Sequence, residues 1–245
     1  MTPVPMPPSA PRFPGLLACV LTLASALVCS GAPQATRVVR ASFYAFRIAA
    51  GQESVHAPTG AESTQEIGLS PANIVGSVNT ALAGDELVLF RSAGTPDKPA
   101  PVAGRVRVPA GWKNVLVLLL PSAPEADVPY RCLALAQDDL DFPLGSCMLV
   151  NLTSSGIRGR AGPATVSLDP GAIKTFQPTG QPGESVPVRF ERLEGREWLV
   201  LTETRWAVRR DRRQLICVYQ DERTHRFLLR SLPDRTIGIA PAAPP

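Results

Sequence analysis

The stretch "TRWAVRRDRRQ", residues 204–214, places five arginines, one tryptophan and one acid in eleven positions. Guanidinium groups this close together offer bidentate, charge-assisted hydrogen bonds to carboxylate, phosphate or sulfate. Arg205, Arg209, Arg210, Arg212 and Arg213 are therefore the candidate polyanion-binding residues, acting as electrostatic contacts. The same spacing also fits a solvated connection between two strands, since connecting segments are normally polar. Arginine outnumbers lysine by 22 to 3. Together with abundant Ala, Gly and Pro this points to a GC-rich coding sequence, so the arginine count reflects coding bias before function.

Other reactive side chains are sparse. The two histidines are His56, in a polar stretch, and His225, beside the turn "DERTH". Neither accompanies a Gly-x-Ser-x-Gly elbow or a His-Glu-x-x-His run, and no phosphate-cradling loop or dinucleotide fingerprint occurs. No catalytic residue is assigned. Carboxylate chemistry needs only two acids brought together by the fold, so a polysaccharide hydrolase with an unidentified acid pair is the alternative reading. "QDDLD" supplies Asp138, Asp139 and Asp141 but lacks the glycine-bearing loop and distal Glu of a calcium site. It reads as an acidic linker, and no metal or cofactor is expected. "NLT" at Asn151 matches a glycosylation acceptor but falls on an expected strand.

Beyond residue 35 the cysteines are Cys132, Cys147 and Cys217. An odd count gives no disulfide framework, and whether Cys132 and Cys147 pair stays open. Each reads most simply as a small buried hydrophobe.

The elements that would position these residues are strands. Short β-branched and aromatic runs alternate with Gly, Pro, Asp and Ser clusters, and no long run has helical period. In the first half these are "RVVRASFYAFRI", "ELVLFR", "PVAGRVRVP", "NVLVLLLP" and "YRCLALAQ", with 51–68 read as a polar loop. In the second half they are "SCMLVNLT", "ATVSLD", "AIKTFQP", "VPVRFERL", "EWLVLTETRW", "RQLICVYQ" and "RFLLRSL". "VLVLLL" at 115–120 is apolar on both parities, so it should be a central strand covered on both faces. The expected fold is all-β: two tandem antiparallel, immunoglobulin-like sandwiches, one over 36–141 and one over 142–237, with a disordered tail at 238–245. An echo between "LVLFRSAG…PVAGRVRVPAGW" and "LVNLTSSGIRGRAGPATVSLDPGA" supports two modules. Residues 36–141 hold 9 basic and 11 acidic residues, a net of −2, whereas 142–245 hold 15 and 10, a net of +5.

One hairpin is specified further. A three-residue loop, Glu194-Gly195-Arg196, would place Phe190 opposite Val200 and Val188 opposite Thr202. Trp198, Val200 and Trp206 would then share the core face, and Arg192 would lie over Trp198 as a cation–π pair.

The first 35 residues read as a secretory signal and leader: Arg12, an uncharged run "FPGLLACVLTLASALVCSGAPQA", then small residues. The run is short for a membrane span, so no transmembrane span is expected after its removal, and the location is secreted or periplasmic. "DELVLFR", "LVNLTSSGIRGR", "LDPGAIKTFQP", "DRRQLICVYQD" and "RFLLRSLPD" together resemble a group of exported β-rich proteins of unknown function from GC-rich Gram-negative bacteria. The resemblance implies export and this fold, and carries no catalytic motif. The reading is an exported, non-catalytic structural or binding module of the envelope. Its partner would be an envelope protein or an anionic glycan. Nucleic acid is not expected, because the basic stretch lacks interleaved exposed aromatics and the chain is read as exported.

Overall fold

The computed structural model describes residues 37–60, 63–94, 99–221 and 224–234. The expected signal and leader at 1–35 and the tail at 238–245 lie outside them. Every regular element among the described residues is a strand. The first eight are β1 (Arg37–Ala45), β2 (Ser54–Pro58), β3 (Thr64–Gly68), β4 (Val75–Leu82), β5 (Glu86–Phe90), β6 (Val102–Arg107), β7 (Asn114–Pro121) and β8 (Tyr130–Ala136). The next eight are β9 (Cys147–Asn151), β10 (Ile157–Ala161), β11 (Ala164–Leu168), β12 (Ile173–Phe176), β13 (Ser185–Glu194), β14 (Glu197–Ala207), β15 (Arg213–Gln220) and β16 (Phe227–Asp234).

Both halves have one topology. The first builds sheets β4-β1-β7-β8 and β3-β2-β5-β6, and the second builds β12-β9-β15-β16 and β11-β10-β13-β14. Adding eight to each strand number converts the first pair into the second. The pairing senses agree too: β1 runs parallel to β7, and β9 runs parallel to β15. These are two tandem sandwich modules, as the strand pattern predicts. The sequence echo, however, aligns strands that are not equivalent. Gly104 lies on β6, whose counterpart is β14, while Gly159 lies on β10, whose counterpart is β2.

Each module closes around its own core. Val39, Ala41 and Phe43 of β1 meet Leu87 and Leu89 of β5 in the first, and Leu149 of β9 meets Phe190 of β13 in the second. A third core lies between the modules, where the sheet containing β7 packs on the sheet containing β15. Tyr44, Leu116, Leu118 and Leu120 face Met148, Val150, Leu215 and Cys217 across it. This explains "VLVLLL": Val115, Val117 and Leu119 enter the first core, and Leu116, Leu118 and Leu120 enter the third. Side chains alternate across a strand, so a strand apolar on both parities must be covered twice.

The segment read as a polar loop at 51–68 instead forms β2 and β3. Only Val55, Ala57 and Ile67 point inward there, and three small apolar residues among polar ones give too faint a period-two signal. Strand β4 was likewise not expected. Asn151, the sequon residue, is fully buried. Its Nδ2 donates to Ser155 O at 2.8 Å and to Asp169 O at 3.0 Å, so it organises a turn.

The β13–β14 hairpin also departs from expectation. Glu194 pairs with Glu197 across a two-residue turn, with Gly195 at φ 62°. A positive φ at the first loop position is the demand that glycine meets there. A register shift then falls between Phe190 and Glu191, which pair with Thr202 and Val200 and leave Leu201 unpaired between them. Before this bulge, Trp198 and Val200 lie on the outer face, and Val200 is 49% exposed. Beyond it parity is restored, so Trp206 pairs with Val186 and packs on the second core. Arg192 consequently faces away from Trp198. Its guanidinium sits 4.4 Å from the Phe227 ring, and Arg158 occupies the Trp198 face at the same distance.

Candidate functional site

The connection from β14 to β15 is held by its backbone. Val208 is buried, its N–H donates to Glu184 O at 2.8 Å, and its carbonyl accepts from Gly183 N–H at 2.8 Å. On the other side, Gly145 N–H donates to Arg212 O at 2.9 Å. Gly145 has φ 81°, and a Cβ there would approach Arg209 O and Arg210 Cδ to 3.1 Å. That position needs glycine both for its backbone conformation and for the closeness of the arginine-bearing segment.

The five candidate arginines do not act alike. Arg205, Arg209, Arg212 and Arg213 line one open hollow of ≈ 450 Å³, together with Trp206, Pro178, Ser146 and Gln214. Among the described residues that line it there is no carboxylate. Arg210 is not part of the lining and donates to Gly180 O at 3.2 Å. Arg209 forms a two-point contact with Asp211, at 2.9 and 2.7 Å, and Arg212 shares the same carboxylate at 3.2 Å. These contacts, Arg209 first, hold the Asp211 carboxyl far below the usual carboxylate range. Both pairs are exposed, where such contacts add little stability. Arg205 is steadied by Ser185, whose hydroxyl accepts from Nε at 3.1 Å.

Arg213 belongs to a different structure. Its side chain is only 4% exposed, and it donates to Gln137 O at 2.6 Å and to Asp139 Oδ1 at 2.5 Å. Its guanidinium lies 5.4 Å from the Phe142 ring, while Nε is buried without a partner. It therefore clamps the segment between the modules and shows the hollow only an edge. Arg230 does similar work on β16. It donates to Tyr44 Oη at 3.1 Å and Phe46 O at 2.7 Å, with its guanidinium 4.6 Å from the Phe46 ring. Part of the positive charge of the second module is thus committed to joining the two halves.

The acidic linker is also committed. Asp138 accepts from Lys113 N–H at 3.0 Å and from Asn114 Nδ2 at 2.8 Å. Burial alone would raise its pKa, but these hydrogen bonds and the Lys113 charge bring it below the ordinary value. Among the described residues, no three His, Cys, Asp or Glu side chains gather as a metal-binding group. Cys132, Cys147 and Cys217 are all free thiols.

A second basic surface escaped the sequence reading. On the outer face of the β11-β10-β13-β14 sheet, Arg158, Arg160 and Arg189 surround Glu191 and line an open hollow of ≈ 430 Å³. Its signal was present in "IRGRA", where alternate residues Arg158 and Arg160 must share a face. What the sequence did not disclose is that β13 lies beside β10, bringing Arg189 opposite Arg160.

A scan of protein-family models finds no match to this chain, and a search of curated protein sequences finds none either. Among the described residues, no helix is long and apolar enough to cross a membrane.

Proposed function

We propose that this chain is an exported, non-catalytic binding module that engages an anionic partner through its basic second half. The observation that carries the reading is the hollow between β14 and β15, lined by Arg205, Arg209 and Arg212 with no carboxylate among the described lining residues, where Asp211 offsets only part of their charge. Fixed guanidinium groups around an open depression favour anions at low conformational cost, because the side chains are already ordered. The carboxylates with displaced pKa values add support. Asp138, Glu191 and Asp211 are all shifted down, the direction of ion-pair partners and opposite to that of a general acid.

The test is retention of the full chain on an immobilised sulfated polysaccharide across a salt gradient, beside the double variant Arg209→Glu/Arg212→Glu. The reading expects elution of the variant at clearly lower salt, since each lost contact reduces the counterions released on binding. Equal elution of the two proteins would sink it.

A further inference from the structure

The outer face of the β11-β10-β13-β14 sheet is organised by register into two rows. In one, Thr165, Arg160, Arg189 and Glu203 lie side by side across the four strands. In the next, Ser167, Arg158, Glu191 and Val200 do the same. Arg160 and Arg189 are therefore direct cross-strand neighbours. Like charges in that relationship destabilise a sheet, so the pair calls for a counter-charge.

The protein supplies only part of one. Glu191 is 8% exposed and is gripped by Arg158 Nε and, at 2.8 Å, by Arg189. Its two oxygens are thereby divided between Arg158 and Arg189. Glu203 approaches Arg189 at 3.8 Å from a side chain that is 68% exposed, a contact too long and too wet to neutralise it. The Arg160 side chain is exposed, and its guanidinium makes no hydrogen bond or ion pair with any described residue. Arg158 is held in place from below by Trp198 and from the side by Glu191. The exposed hydroxyls of Thr165 and Ser167 border the same hollow.

We infer that this face is an oxyanion-binding site for a sulfated or phosphorylated glycan. The oxyanion lies between the Arg160 and Arg189 guanidinium groups, and neighbouring sugar hydroxyls meet Thr165 and Ser167. A doubly charged oxyanion matches the charge left over by three arginines around one carboxylate. A broad sheet face fringed with the hydroxyls of Thr165 and Ser167 suits an extended carbohydrate, whereas a bilayer surface would call for several protruding apolar side chains, of which this face exposes chiefly Val200. The site rests on the reading that the second module binds anions, but it uses none of the residues that line the hollow between β14 and β15.

The experiment compares the full chain with Arg160→Ala and with Arg209→Glu/Arg212→Glu. Melting temperature is followed in sodium sulfate and in sodium chloride at equal ionic strength, and affinity is titrated with a heparin hexasaccharide. Removing Arg160 should leave the protein at least as stable in chloride, reduce the rise in Tm that millimolar sulfate gives over chloride, and weaken the hexasaccharide by about tenfold, roughly 1.4 kcal/mol. A rise over chloride in millimolar sulfate that is as large in Arg160→Ala as in the unaltered protein overturns the site. Loss only in Arg209→Glu/Arg212→Glu overturns it while leaving the other hollow standing, and loss in neither variant removes both. Sulfate stabilisation with no hexasaccharide binding, or binding only to vesicles of phosphatidylglycerol and phosphatidylcholine in equal parts, overturns the glycan assignment.

Discussion

Phe190 lies directly opposite Gly159 across the β10–β13 ladder, and its ring covers the space a side chain would take. A Cβ on Gly159 would collide with Phe190 Cε1 and come within 2.7 Å of Cδ1. Phe190 is fully buried and tilts against Trp206 at 5.7 Å between ring centroids, so it has nowhere to retreat. Gly159→Ala should destabilise the protein by about 1–3 kcal/mol through overpacking, seen as a fall in Tm of a few degrees. Because Arg158 and Arg160 flank this glycine, the same variant should also lose sulfate stabilisation.

Arg213 and Asp139 share an ion pair whose two ends differ in environment. The arginine is buried and the aspartate side chain is 86% exposed. Arg213→Met should cost about 1–3 kcal/mol, because Gln137 O loses its charged donor inside the protein. Asp139→Asn should cost less than about 0.5 kcal/mol, as a surface change. Chemical denaturation of both variants checks this, and equal losses would show that the ion pair, rather than the backbone contact, carries the clamp.

Burial pushes the thiols of Cys132, Cys147 and Cys217 up to about 12. Burial likewise raises the Tyr44 and Tyr130 hydroxyls, against hydrogen bonds that lower them. The folded thiol pKa lies above the unfolded value of 9.0. The stability it confers is therefore complete below pH 9 and lost as pH rises towards 12. Thermal melts should show a falling Tm across that window, and the loss should be smaller in a triple Cys→Ala variant. At pH 8 the buried Cys147 and Cys217 should react with a disulfide reagent only on unfolding, and the half-buried Cys132 ahead of them.

Glu191 sets the acid side. Its hydrogen bond from Arg158 holds the carboxyl below the ordinary carboxylate value, against burial, and Arg189 adds to the effect. A depressed folded pKa gives stability that is present above the ordinary value of 4.5 and lost as pH falls through the folded one. Glu191→Gln should lower Tm at neutral pH and flatten its decline in acid. It leaves three arginines unbalanced, so sulfate should recover part of the loss.

Much of this architecture was legible in the chain, for identifiable reasons. The doubly apolar run at 115–120 and the alternating runs in 185–220 declare their strands because large β-formers mark every inward position. Strands β2 and β3 hid because their inward residues are few and small. The hairpin loop misled because a bulge at Leu201 restores parity that a two-residue turn had broken, and both solutions put Trp206 inward. The arginine-rich connection was visible as composition, yet the burial of Arg213 depends on the linker folding back over it. The Arg160–Arg189 neighbourhood depends on strand order, which single-strand periodicity does not encode.

The two modules meet through equivalent sheets, much as two subunits meet in a symmetric dimer, and this makes the described residues of the two modules a stack four sheets deep. With about 10 Å between packed sheets, its two outer faces stand roughly 30 Å apart. They share an architecture but not a charge: on the β3-β2-β5-β6 side Arg105 is matched by Glu86, whereas the far side keeps its arginines in excess. A fused pair of this kind is built like a double-sided object and charged like a single-sided one, so whatever settles on the basic face fixes which way the other face looks.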